Sequence, residues 1–264
     1  MSRPIILRSL VVVGAASLAL AGCSSDSGSS DSSASPSAES SAAQGDGTLK
    51  IGTLLPQTGS LAFLGPPEFA GVDLAVEEIN AAGGVNDAQV ESIVGDSGDT
   101  STNIASQTVD RQLSQGVDAI IGAASSAVSL TVIDKITSAG VQQVSPANTS
   151  PEFSTYPDKG LYARTAPPDT FQGQVLGDLV AGDGNTTMAI LALDDAYGTG
   201  LADNVEKAFT AAGGTIASKQ IYDPKATSFE AEVSEAKASN PEAVVLIGFH
   251  ESSKVIQQTN KQRN

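Results

Sequence analysis

Few side chains in this 264-residue chain are equipped for chemistry. His250 is the only histidine and Cys23 the only cysteine. A histidine-rich metal site is therefore excluded, and no Cys–His pair offers itself once Cys23 is assigned elsewhere. No glycine-rich phosphate loop and no nucleophile elbow follows a strand-like run. The "YGTG" at 197–200 has only two glycines and is weak as a dinucleotide loop. Asp194-Asp195 could pair as acid and base, but adjacent carboxylates at the end of an apolar run read better as a solvated turn. What remains is a set of small polar residues. Ser125 and Ser126 follow the run "VDAIIG", where a helix should begin. The bare N–H groups of a helix start can hold a carboxylate, although serine there is also an ordinary N-cap. In "SPANTSPEF" (145–153), Pro146 and Pro151 bracket a loop. Its amides and the Thr149 hydroxyl could face the same cleft, or the loop could be a plain turn. Two strand ends of this kind, side by side, would make a pocket for a small zwitterion.

The elements that would position them follow a regular pattern. "LKIGTLL" (49–55), "QVESIVGD" (89–96), "VDAIIG" (117–122) and "VQQVSP" (141–146) read as strands. Between them lie helical stretches. The first, beginning at Pro66-Pro67, has Phe69, Val72, Ala75, Val76 and Ile79 on one stripe; the others are 102–116 and 127–140. After an irregular stretch the alternation resumes with strands "TMAILALD", "TIASKQIYD" and "AVVLIGF". The intervening helices are "GLADNVEKAFTAAGG" and "SFEAEVSEAKASN". Strands alternating with helices predict α/β architecture, with parallel sheets covered on both faces. "INAAGGV" (79–85) echoes "FTAAGGT" (209–215), each closing a long helix on glycines that cap it. With the break at "YARTAPPDTFQG" (162–173), the echo predicts two similar lobes, 48–168 and 169–264.

Cys23 belongs to a different part of the chain. Arg3 and Arg8 precede "SLVVVGAASLALAG", an uncharged run from Ser9 to Gly22 that is too short to span a membrane comfortably. A basic start, an apolar centre and small residues at the end mark a secretory signal over residues 1–22. "LAGC" resembles the lipobox of bacterial lipoproteins, which implies lipid attachment at Cys23 and cleavage before it; an ordinary signal with a chance cysteine is the alternative. Residues 24–47 are serine-rich and hold no large apolar side chain, so residues 23–47 read as a lipidated cysteine and a disordered tether. Its root-mean-square reach would be roughly 25–30 Å. Removing residues 1–22 takes away two arginines and no acid, which moves the net charge from −16 to −18. So acidic a chain is poorly suited to nucleic acid, whose binding rests on Lys and Arg.

"IGTLLPQTGSLAFLGPPEFAGVDLAVEEINAAGGV", "VDAIIGAASSAVS", "SPANTSPEF" and "LDDAYGTGLADNVEKAF" resemble, in order and spacing, the substrate-binding proteins of ABC importers for branched-chain amino acids. The resemblance implies the two-lobed type I periplasmic binding fold, each lobe a parallel sheet flanked by helices, closing on a ligand about a hinge. It implies that Ser125, Ser126, Ala147, Asn148 and Thr149 hold the ligand's carboxylate and amine, and that Tyr197 covers it. Leu64 and Phe249 stand where the family often has other aromatic or tyrosine side chains, which leaves the side-chain preference open among amino acids and amides. The family continues beyond the point where this chain stops, so the second lobe is expected to be incomplete. The implied partners are an amino-acid or amide ligand, an ABC transporter permease and, through Cys23, the membrane; no cofactor, metal or nucleic acid is called for. The implied location is extracytoplasmic. A ligand-sensing receptor domain of the same fold and a lipid-anchored hydrolase are the competing readings, and the second lacks a recognisable triad.

Overall fold

The computed structural model describes residues 45–263. The expected signal peptide, Cys23 and nearly all of the serine-rich tether lie outside the described residues. The described chain begins with β1 (Lys50–Leu54), α1 (Gly65–Ala81), β2 (Glu91–Ile93), α2 (Ile104–Ser114), β3 (Ala119–Gly122), α3 (Ser126–Ser138) and β4 (Gln142–Ser145). A 3-10 turn at Pro151–Ser154 and β5 (Tyr162–Arg164) complete a five-stranded sheet of order β2-β1-β3-β4-β5. The chain continues through α4 (Asp169–Gly182), β6 (Thr187–Leu193), α5 (Ala196–Ala211), β7 (Thr215–Tyr222), α6 (Glu230–Ala238), β8 (Ala243–Ile247) and α7 (Ser252–Arg263). Strands β7-β6-β8 form a second sheet. All pairings in both sheets are parallel.

Each sheet has its own core. In the first, Leu54 and Ile120 meet Val109 of α2 and Val128, Val132 and Ile136 of α3. In the second, β6 is buried along nearly its whole length and packs with Leu201, Val205 and Phe209 of α5 and Val233 of α6. The two clusters share no residue, so the chain forms two lobes rather than one layer. Helices flank both sheets as expected, although the two faces of the first sheet are buried unequally. The α2–α3 face carries the buried residues, whereas Ile51, Ala119, Ile121 and Val144 on the α1 side are only half-buried. The stripe on α1 is likewise half-buried at Phe69, Val72, Val76 and Ile79, and exposed at Ala75.

The stretch expected to be irregular contains β5 and α4. The sequence conceals α4 because its pattern is inverted. Gly173 and Gly177 face inward, while Phe171, Val175 and Leu179 are 63%, 52% and 57% exposed. The glycines let α4 press onto α5: a Cβ on Gly173 would lie 2.5 Å from Asn204 Cβ, and one on Gly177 would lie 2.6 Å from Ala208 Cβ and 2.8 Å from the Phe209 amide nitrogen. A helix read by its large apolar residues would be turned the wrong way.

This close approach sets the first test. Gly177→Val should destabilise the protein by about 1–3 kcal/mol through overpacking. Gly182→Ala, on the same helix with open space around its Cβ position, should be neutral or stabilise by up to about 1 kcal/mol. Urea unfolding of the two variants checks this, and equal effects would show that α4 does not seat on α5 through its glycines.

Candidate functional site

Parallel strands end together, so the loops that follow them gather on one side of each sheet, where ligands of open α/β sheets bind. The loops after β3 and β4 are neighbours there, and hydrogen bonds lock them to each other. Ser145 Oγ donates to the Ala123 carbonyl (2.7 Å) and accepts from the amides of Ala147 (3.2 Å) and Asn148 (2.9 Å). The Asn148 side chain donates to the carbonyls of Ala123 (3.0 Å) and Ala124 (2.9 Å) and accepts from the Tyr162 hydroxyl (2.9 Å). Ser126 Oγ accepts from the amides of Thr149 and Ser150, each at 3.2 Å. Arg164 closes the back of the loop by donating to the Ser150 carbonyl (2.7 Å) and the Ser154 hydroxyl (2.8 Å). At the start of this path, Gly122 has φ +130°, and a Cβ there would sit 2.0 Å from the Leu54 carbonyl oxygen. Only glycine lets the chain leave β3 toward Ser125 so close to β1.

Two sequence expectations change here. Asn148 is completely buried and spends its side chain on the two loops and Tyr162, so it is a brace and does not line the cleft. The loop amides are not bare either, since those of Ala147 through Ser150 are taken by Ser145 and Ser126. The free donors come from α3. Ser125 is its N-cap and accepts from the Val128 amide (3.4 Å). The amides of Ser126 and Ala127, in the first turn, have no intrahelical acceptor. The Ser126 hydroxyl, which accepts from two amides, still has its own hydrogen to give.

These groups open onto a cavity of about 290 Å³ between the lobes. Ser125, Ser126, Ala147 and Thr149 form its polar side, and Leu61, Phe63 and Leu64 from the loop before α1 form an apolar wall. The second lobe contributes Tyr197, Gly248 and Phe249, and Gln172 of α4 completes the lining. The rings of Tyr197 and Phe249 stack with centroids 5.4 Å apart and planes 9° apart. Thus the sequence-derived Leu64, Ser125, Ser126, Ala147, Thr149, Tyr197 and Phe249 are brought together, while Leu61, Phe63 and Gln172 carried no signal that could have singled them out.

Asp195 was expected in a solvated turn. It is instead the N-cap of α5, accepting from the amides of Tyr197 (2.9 Å) and Gly198 (2.7 Å). This capping fixes where Tyr197 starts the helix. Burial raises the Asp195 carboxyl above its ordinary range; those two amides oppose the shift, and Glu251 and Asp194 add to it. Burial, with the charges of Asp169 and Asp195, pushes the Tyr197 hydroxyl up to about 12.

Sequence reasoning missed Asp169. It opens α4, is completely buried, and neither carboxylate oxygen has a well-formed hydrogen bond, although the Thr149 hydroxyl lies close by. Its amide donates to the Thr149 carbonyl at 2.8 Å, which places it directly behind the cleft loop. Burial pushes its carboxyl up to about 6; the Thr149 hydroxyl and Arg164 pull it down, and Asp195 raises it further. An acid in a first helical turn looks like a routine dipole partner, so nothing in the sequence reveals its burial. Among the described residues, no group of three or more His, Cys, Asp and Glu side chains is arranged to hold a metal ion, and no helix is long and apolar enough to cross a membrane.

A family model described as periplasmic binding protein matches residues 48–262. A leucine-, isoleucine-, valine-, threonine- and alanine-binding protein of Pseudomonas aeruginosa is 31% identical over 205 residues, 77% of this chain and 54% of its own length. Among solved structures, a branched-chain amino acid transporter substrate-binding protein of Streptococcus pneumoniae in complex with isoleucine superposes with a TM-score of 0.70 at 28% identity, covering 81% of this chain and 61% of that one. A leucine-binding protein of Thermotoga maritima gives a TM-score of 0.73 at 25% identity, covering 82% and 61%. The chain spans about half the length of the curated relatives it matches.

The buried Asp169 sets the second test. The folded protein holds its proton more tightly than the unfolded chain, where aspartate titrates near 3.8. Its contribution to stability should therefore fall as pH rises from about 4 through about 6. Glu68, pushed up to about 7 by burial, and Asp195 act in the same sense. The difference between wild type and Asp169→Asn isolates the aspartate. Denaturation midpoints measured across that range should fall less steeply in the variant, and parallel curves would show that Asp169 titrates normally.

Proposed function

The chain belongs to the periplasmic binding protein family, and from that premise we propose that it captures a small α-amino acid outside the cytoplasm for an ABC importer. The observation that carries this reading is the cavity's division of labour. One side offers the open amides of α3 with the Ser126 and Thr149 hydroxyls, and the other is the apolar wall of Leu61, Phe63 and Leu64. A carboxylate at the start of a 13-residue helix gains from both hydrogen bonds and dipole. Asp169, behind Thr149, supplies a negative charge for the ligand's ammonium, which would lower its raised pKa toward the usual range. An aliphatic side chain buried on the apolar wall contributes roughly 1.5–3 kcal/mol. The stacked Tyr197 and Phe249 rings give the second lobe its contact with the ligand. Nothing in this arrangement activates a nucleophile, so the role is capture and release without chemistry.

On this account the lobes are the units 48–168 and 169–264, hinged at the passage from β5 to α4. Lipid attachment at Cys23 would hold them at the membrane within reach of a permease, and the serine-rich tether would give them freedom to turn toward it. The Pseudomonas aeruginosa relative is named for binding leucine, isoleucine, valine, threonine and alanine, and a branched-chain amino acid is the ligand that the apolar wall fits best.

Calorimetric titration with leucine, isoleucine and valine tests the reading. Saturable binding of one of them without turnover is the expected result. Thr149→Ala should weaken it by about 1–3 kcal/mol, because a hydrogen bond to a charged group is lost. Unchanged affinity in that variant would remove Thr149 from the site, and failure of every amino acid to bind would remove the function.

A further inference from the structure

Beside the apolar cavity, and sharing Ser125 and Phe249 with it, lies a second interlobe cavity of about 400 Å³. Its charged lining is Asp99, Asp194, Asp195 and Glu251 against Lys225 and Lys254, with His250 alongside. Two of the carboxylates have work already. Asp99 accepts from the Ser101 amide (2.9 Å) and hydroxyl, and Asp195 caps α5. Glu251 differs. It is only 2% exposed, and its Oε1 accepts from the Tyr222 hydroxyl and the Phe249 amide, both at 2.9 Å. Its Oε2 is buried without any hydrogen-bond partner. The nearest basic group, His250 Nδ1, is 3.9 Å away and lies 3.1 Å from the Ser60 carbonyl oxygen, with which it makes its hydrogen bond.

A buried carboxylate oxygen without a donor costs stability until something supplies one. An apolar ligand group would leave that cost in place, and an anion would add to the negative charge. A compact cation with N–H donors answers both. We propose that this compartment is a subsite for the distal cation of the ligand, an ammonium or guanidinium received by Glu251 Oε2 with Asp195 and Asp194 around it. The substrate class then extends to basic α-amino acids. The α-carboxylate sits on the start of α3, and the side chain runs past Ser125 and Phe249 into the second cavity instead of onto the leucine wall. This rests on the carboxylate-binding reading given above.

The test compares L-lysine with L-norleucine, which has the same straight side chain without the ammonium, by calorimetry on the full chain. Wild type should bind lysine about tenfold or more tightly than norleucine, the gain of one charge-assisted hydrogen bond. Glu251→Gln should bring the ratio close to one. Asp194→Asn, at an exposed position that does not brace the fold, should lower it by about two- to threefold and serves as the check if Glu251→Gln does not fold. Equal binding of lysine and norleucine by wild type, or a lysine preference that survives both substitutions, overturns the cation subsite alone. Should leucine, norleucine and lysine all fail to bind, the carboxylate site falls and the subsite with it.

Discussion

The site depends on the bonds that tie the loop after β4 to the loop after β3. Neither loop has a regular ladder to hold it, and both leave their sheet at a point where buried carbonyls must find donors. Asn148 and Ser145 satisfy Ala123 and Ala124, and Ser126 satisfies the amides of Thr149 and Ser150. Each bond alone is worth about 0.5–1.5 kcal/mol, but leaving a buried partner unsatisfied costs about 1–3 kcal/mol. The loops are thus held in one arrangement by the penalty for any other. That arrangement keeps the first turn of α3 open toward the cleft and presents the Ser126 and Thr149 side chains on the same side. Preorganised donors need no ordering when a ligand arrives, which is where affinity for a small solute is usually lost.

The second lobe meets this fixed wall with aromatic and acidic groups. Capping by Asp195 starts α5 so that Tyr197 stacks on Phe249, and the buried strand β6 leads into this turn. The cleft is therefore built from a polar, prearranged side on one lobe and a covering side on the other. Its two cavities divide by chemistry, one faced by leucine and phenylalanine and the other by charged side chains of both signs.

Much of this was legible in the sequence, for identifiable reasons. Short apolar runs such as "AVVLIGF" and "VDAIIG", alternating with helices, read as parallel strands, and the helices that close on glycine announce their ends. That the polar ends of β3 and β4 meet at one cavity was legible, because consecutive parallel strands end side by side. What each residue does there was less legible. Asn148 and Thr149 are adjacent polar residues in one loop, yet one is a brace and the other faces the cavity, and only the direction of the side chains separates them. Asp195 looked solvated because capping and solvation favour the same residue type. Helix α4 was hidden by its inward glycines, and with it the burial of Asp169 at its first turn. The charged face of Glu251 depends on Tyr222, distant in sequence, occupying its other oxygen.

The central claim is that a ligand carboxylate docks on the first turn of α3. The most direct measurement is the proton–nitrogen NMR spectrum of the labelled protein during titration with leucine and with 3-methylbutylamine, which is leucine without its carboxylate. The account predicts saturable downfield shifts of the Ser126 and Ala127 amides with leucine, and none at those amides with the amine. Equal shifts with both compounds, or leucine binding that leaves those two amides unmoved, would contradict it.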